Sequence, residues 1–283
     1  NLTGAESTET QSLISFDSDG FTVGSGGGVN ENSQTYISWN WKAGGAGSSN
    51  SDGSITSTVS ANTTAGFSIV KWTGNGSTAT IGHGLGAAPK MIITKRYDAS
   101  GNWFTYHDSI GNTKYILLEA TDVETTSSNA WNNTSPTSSV FTKASATNVS
   151  GGSYIAYCFA EKPGFSKAGL YEGNNNADGP FVYTGFKPSF IMIKPKGLAR
   201  NWTNWDNARD IFNPHWNYIY PNLSAAGTNI AHGSSGTYAI DFVSNGFKIK
   251  NTDDKFNGSG QGMIYLAFGQ TLVGSNNVPA VAR

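Results

Sequence analysis

A single cysteine in 283 residues excludes an intrachain disulfide framework. Charge is also scarce: 13% of residues are charged, and Lys+Arg (18) nearly cancels Asp+Glu (19). No net field therefore steers the chain toward nucleic acid or an anionic membrane. No apolar run approaches the ~20 residues of a membrane helix, so membrane insertion is not expected. No signal peptide is visible and the chain opens without Met, which fits a fragment or a processed product. Gly-x-Ser-x-Gly elbows and Walker-type phosphate loops are missing. None of the four histidines forms a His-x-His pair, and there is no Cys-x-x-Cys. The chain thus offers no transition-metal or cofactor motif and no catalytic constellation, and an enzyme is not expected.

What is present is turn-forming and aromatic. Glycine reaches 35 and aromatics 12%, with abundant Ser, Thr and Asn. This composition suits many short strands joined by many turns. Phe67–Trp72, Met91–Lys95, Trp103–His107, Tyr115–Leu118, Ser139–Thr142 and Tyr154–Phe159 read as strands, while helical periodicity is weak throughout.

Self-similarity is the strongest signal. Trp72-Thr-Gly-Asn-Gly76 matches Tyr171-Glu-Gly-Asn-Asn175, an offset of 99 (171 − 72). The same offset carries Pro89 onto Pro188, Lys95 onto Lys194 and Trp103 onto Trp202. Phe16-Asp-Ser-Asp-Gly-Phe21 matches Phe242-Val-Ser-Asn-Gly-Phe247. Tyr36-Ile-Ser-Trp-Asn-Trp41 matches Tyr154–Phe159 and Met263–Phe268. Residues 1–42 then form the second half of a first unit. Residues 43–54 are a Gly/Ser-rich linker or long surface loop, 55–162 and 163–270 are two fuller units, and 271–283 is a tail. Six or seven strands per ~100 residues predict an all-β fold of tandem repeated antiparallel β-sandwich domains, jelly-roll-like.

Few residues suggest chemistry. Asp17-Ser-Asp-Gly20 is half of a calcium loop or a β-turn, and its copy at 243–246 lacks both carboxylates, which favours the turn. Asp253-Asp254 reads as a solvated loop rather than an acid/base pair. His83, in His83-Gly-Leu-Gly86, makes a polar contact or bonds a tight turn. Cys158 sits in an apolar run and reads as a small buried residue. Trp205, Trp216 and Tyr218, with Asn204 and Asn217, form a candidate glycan platform: aromatic faces stack on sugar CH groups and amides bond hydroxyls. Core or interunit packing is the equal alternative.

Trp72–Gly76, Gly82–Pro89, Trp131–Phe141, Tyr154–Glu161, Asp178–Phe186 and Phe242–Phe247 together resemble a repeat-domain family of tailed bacteriophages, mostly marine and cyanobacterial viruses. The resemblance implies a structural protein of the virion surface: a fibre, a capsid decoration or a tail component. Its partners would be copies of itself and other virion proteins. It brings no catalytic residues. A lectin-like adhesin for host surface glycan is the alternative, and a polysaccharide depolymerase is a more distant one.

Overall fold

A computed structural model of the chain describes residues 3–224, 227–229 and 240–269. The fold is all-β. The N-terminal segment contributes one hairpin, β1 (Leu13–Phe16) and β2 (Phe21–Val23). The middle segment contributes β3 (Ser48–Asn50), β4 (Ser57–Asn62), β5 (Phe67–Thr73), β6 (Ala79–Gly82), β7 (Met91–Arg96), β8 (Phe104–His107), β9 (Lys114–Leu117), β10 (Thr125–Thr126), β11 (Val140–Lys143) and β12 (Ser153–Phe159). The last segment contributes β13 (Ser166–Glu172), β14 (Phe181–Tyr183), β15 (Pro188–Pro195), β16 (Thr203–Asp206), β17 (Asn217–Tyr218), β18 (Thr228–Asn229), β19 (Ile240–Val243), β20 (Gly246–Ile249) and β21 (Gly262–Gly269). Every pairing between these strands is antiparallel. Among the described residues, helix is confined to single turns such as Ser128–Trp131 and Asp254–Asn257.

The middle segment builds an eight-stranded sheet, β10-β9-β8-β7-β12-β5-β4-β3, with a separate β11-β6 pair. The last segment builds a four-stranded sheet, β13-β21-β15-β16, with β14-β20-β19 beside it. Neither segment divides into the two four-stranded sheets of a jelly roll. The order β5-β12-β7-β8 nonetheless matches β13-β21-β15-β16 strand for strand. Registers match too: Lys95 lies opposite Ile155, and Lys194 lies opposite Ile264.

Both main sheets are buried on both faces, which explains their apolar runs. Side chains alternate between faces along a strand. Val70, Ile92 and Ala156 point into one core with Ile81 and Phe141 of the β11-β6 pair. Ile191, Tyr265 and Ala267 point into a second core with Val182, Phe242 and Phe247. The opposite rows, including Phe67, Met91, Phe159, Phe190, Ile264 and Phe268, meet in a third core between the two sheets.

Two buried asparagines close the two segments in the same way. Asn148 Nδ2 donates to Ser77 O (2.8 Å), and Asn257 Nδ2 donates to Asn176 O (2.8 Å). The backbone carbonyls of the same asparagines accept from Gly76 and Asn175. Each therefore ties the turn after an early strand to the approach of the last strand, and each satisfies groups that would otherwise be buried unpaired.

The Gly/Ser-rich stretch 43–54 is not a free linker. Ser48–Asn50 pairs with β4 as the edge strand of the large sheet. A Cβ on Gly44 would run into Ala61 O, and one on Gly53 into Thr80 O. Glycine is used here for close backbone approach, which composition cannot distinguish from flexibility. The expected tail, 271–283, lies outside the described residues.

Candidate functional site

The contacts between segments repeat, and they define the most site-like feature of the molecule. Lys95 and Lys194 are both buried, at 4% and 0% exposure. Lys95 Nζ donates to Gly101 O (2.6 Å) and crosses to Thr3 O of the N-terminal segment (2.7 Å). Lys194 Nζ donates to Arg200 O (2.6 Å) and crosses to Thr121 O of the middle segment (2.9 Å). The lysines are 99 residues apart (194 − 95) and the threonines 118 (121 − 3). A backbone bond accompanies each: Glu6 N–H donates to Tyr97 O (2.7 Å), and Glu124 N–H to Lys196 O (2.8 Å). These pairs keep the same two offsets. Burial lowers Lys194 to about 8, so it still carries its proton at neutral pH, as carbonyl partners require.

The second junction has further ties. Glu124 Oε1 accepts from both Lys114 (2.6 Å) and Lys196 (3.1 Å), one on each side. His107, on β8, bonds through Nε2 to Tyr265 O on β21 (3.1 Å). Its Nδ1 accepts from Ser109 N–H (3.2 Å), which leaves the proton on Nε2 and the ring neutral. Burial pushes His107 down to about 4.

Trp41, Phe159 and Phe268 occupy corresponding places in the repeated Tyr36–Trp41, Tyr154–Phe159 and Met263–Phe268 motifs, and their rings meet. The centroids are 6.2 Å apart for Trp41–Phe159, 5.5 Å for Trp41–Phe268 and 5.8 Å for Phe159–Phe268, all edge-on. Trp39 and Trp41 also pack edge-on against Phe190 at 5.6 Å. Beside this cluster a cleft of about 280 Å³ opens between Ile37–Trp41 and the Phe190 and Asp206–Ala208 region. Asp206 stands 99 positions after His107, but it turns back to Arg209 (2.6 Å) instead of bridging outward.

Of the candidates from sequence, Trp205 and Tyr218 meet, with ring centroids 5.6 Å apart, and Asn204 pairs through its backbone with Ile219 beside Tyr218, but they meet inside the protein. Trp205 is 2% exposed and packs edge-on against Phe256 at 4.7 Å. Tyr218 and Asn204 are also buried, while Trp216 and Asn217 are half-buried. The five residues do not form an open platform; the Asn-rich aromatic stretch is largely core. His83 is buried: Nε2 lies 3.2 Å from Thr137 O, and Nδ1 accepts from Leu85 N–H in its own turn, where Gly84 has φ +68°. Asp17 and Gly20 close the β1–β2 turn through a backbone bond. Asp253 caps the turn Asp254–Asn257, and Asp254 pairs with Arg200, so adjacent acids serve separate partners. Cys158 is fully buried, and burial raises its thiol to about 12.

Sequence reasoning missed Lys143. It is 1% exposed, sits 4.3 Å above the Trp131 ring, and bonds Thr94 Oγ1 (3.3 Å). Burial lowers it to about 7. Its neighbours are distant in sequence, and no local signal marks it. The junction lysines did carry a signal, since Lys95 and Lys194 fall in register within the repeat.

Fold and site together define an all-β protein whose segments are joined by the same set of contacts used twice. The chain belongs to the family described as Domain of unknown function (DUF7483), whose model matches residues 1–271 in one span. No curated protein and no solved structure matches the chain.

Proposed function

We propose that this chain is a structural protein of a bacteriophage virion surface, built from tandem β-sandwich units that pack around a shared core. The observation that carries the assembly reading is the duplicated junction. Lys95 reaches back to Thr3 as Lys194 reaches back to Thr121. The matched strand orders support two sandwich units, each a main sheet backed by a smaller one. The meeting of Trp41, Phe159 and Phe268 supports an approximate threefold arrangement of the three segments. A buried lysine bonded to carbonyls across a junction has a positioning role and presents nothing to a substrate. The virion assignment rests on the sequence resemblance to phage repeat proteins; fibre, decoration and tail component remain alternatives within it.

Mass spectrometry of gradient-purified particles tests this reading. The chain is expected in many copies per particle and open to surface proteolysis. Abundance in the infected-cell lysate with none in particles would contradict it. A lectin-like adhesin is the second reading. The half-buried Trp39 and Trp41 beside Asn40 and Asn207 in the cleft favour it more than Trp205 does.

A further inference from the structure

We infer that the cleft beside Trp39 and Trp41 is a binding site for a neutral sugar ring. Such a site rests on the adhesin reading above, which it narrows to one place and one ligand class, and not on the virion assignment.

The cleft falls at a junction that the chain leaves unclosed. His107, on β8, donates to Tyr265 O and so ties the middle segment to the last. The repeat offset of 99 carries His107 onto Asp206 (206 − 107), and the match of Met263–Phe268 with Tyr36–Trp41 carries Tyr265 onto Ser38. Asp206 and Ser38 both line the cleft. An ionised carboxylate only accepts, so Asp206 cannot make to the Ser38 carbonyl the bond that His107 makes to Tyr265. Where the middle and last segments share a hydrogen bond, the last and N-terminal segments enclose about 280 Å³ instead, at the lower end of the range for small-ligand sites.

The lining decides the ligand class. Trp39, Trp41, Phe190 and Phe268 supply aromatic wall, and Trp39 and Trp41 are only half-buried. Asp206 is 4% exposed at its side chain, and its charge is already spent within the chain. Its Oδ2 accepts from Arg209 Nε (2.7 Å), and its Oδ1 accepts from the backbone N–H groups of Ala208 (3.2 Å) and Arg209 (3.0 Å). These bonds fix the turn that brings Asn207 and Ala208 into the wall. A cation would find the carboxylate paired with a guanidinium. An anion would meet that carboxylate in a poorly hydrated wall. A purely apolar ligand would strip water from Asn40 and Asn207 and return no hydrogen bond. A pyranose meets each demand: its CH face lies on aromatic rings, and its hydroxyls exchange hydrogen bonds with the two amides.

The test applies the full chain to an immobilised panel of neutral, sialylated and sulfated oligosaccharides. The expected result is saturable binding to neutral members. Trp39→Ala is expected to weaken it by about tenfold or more, as loss of an aromatic anchor does. Ala208 is exposed, so Ala208→Phe is expected to keep the wild-type unfolding midpoint and to weaken binding as much, by filling the cleft. Binding that survives in both variants would overturn this site and leave the adhesin reading with another one. Binding to the charged members alone would overturn the neutral ligand, with the adhesin reading again surviving. No binding to any member would overturn both. Acrylamide quenching of the free chain tests for an internal occupant. If the emission that Trp39→Ala removes is shielded from acrylamide, another part of the chain fills the cleft and the site is overturned.

Discussion

Lys194 Nζ lies 2.9 Å from Thr121 O, and the ammonium that makes this contact is wholly buried. One side chain thus joins the last segment to the middle one while also holding its own loop at Arg200 O. Removing it leaves carbonyls without donors, at roughly 1–3 kcal/mol each. Lys194→Met is expected to lose about 3 kcal/mol in denaturant titration. Lys95→Met, acting on Thr3 in the exposed N-terminal stretch, is expected to lose less.

The shared core should be more sensitive than the surface that borders it. Phe268 is 7% exposed and touches Trp41, Phe159, Phe165 and Phe190. Phe268→Ala is expected to cost about 3–5 kcal/mol, the range for a large core truncation. Trp41→Ala should cost less because Trp41 is half-buried. Its clearer readout is faster amide exchange across residues 36–43 with the two main sheets still protected.

Acid should loosen the second junction. His107 is held near 4 in the folded chain against an ordinary 6.5, chiefly by burial. Above pH 6.5 both folded and unfolded states are neutral at this ring, so it contributes nothing pH-dependent. As pH falls from 6.5 toward 4 the unfolded state binds the proton first, and stability drops by about 3 kcal/mol in total. His107→Gln keeps a donor for Tyr265 O without titrating and should flatten part of this drop in midpoint-versus-pH curves. His215, also lowered to about 4 by burial, should account for much of the remainder.

Lys143 predicts the opposite limb. Its folded value near 7 lies below its ordinary 10.5. Below pH 7 both states carry the proton and the folded state bears the full burial penalty. Between pH 7 and 10.5 the unfolded state holds more protons, so stability rises with pH. Lys143→Met should raise the midpoint at pH 7 and abolish that alkaline rise. A lowered midpoint would show instead that the contact with the Trp131 ring outweighs the burial penalty.

The all-β class and many of the strands were legible in the sequence. Strands at Phe67, Met91, Tyr154 and their partners sit where alternation and apolar runs put them, and the two hairpins pair Phe16 with Phe21 and Phe242 with Phe247 alike, while a register shift at Leu13 has no counterpart at Ile240. The linker was misjudged because glycine signals looseness and close approach with the same letter, and only the neighbours of Gly44 and Gly53 decide between them. Tyr36–Trp41 matches Tyr154–Phe159 and Met263–Phe268 in sequence, yet those are central strands with two neighbours while among the described residues no strand pairs with Tyr36–Trp41. For Trp205 the sequence left glycan platform and core packing equal, because it lies in the less repetitive stretch; burial of both Trp205 and Asn204 places them in the core. Lys143 could not be found from sequence at all, since its burial is set by Thr94, Phe104 and Trp131.

Single-particle reconstruction of intact virions most directly tests the proposed role as a repeat-built structural protein of the particle surface. Each copy of this chain is expected to occupy ordered surface density in which three β-rich lobes meet at the Trp41, Phe159 and Phe268 cluster. Particles that reconstruct to side-chain detail with no density for this chain would contradict it.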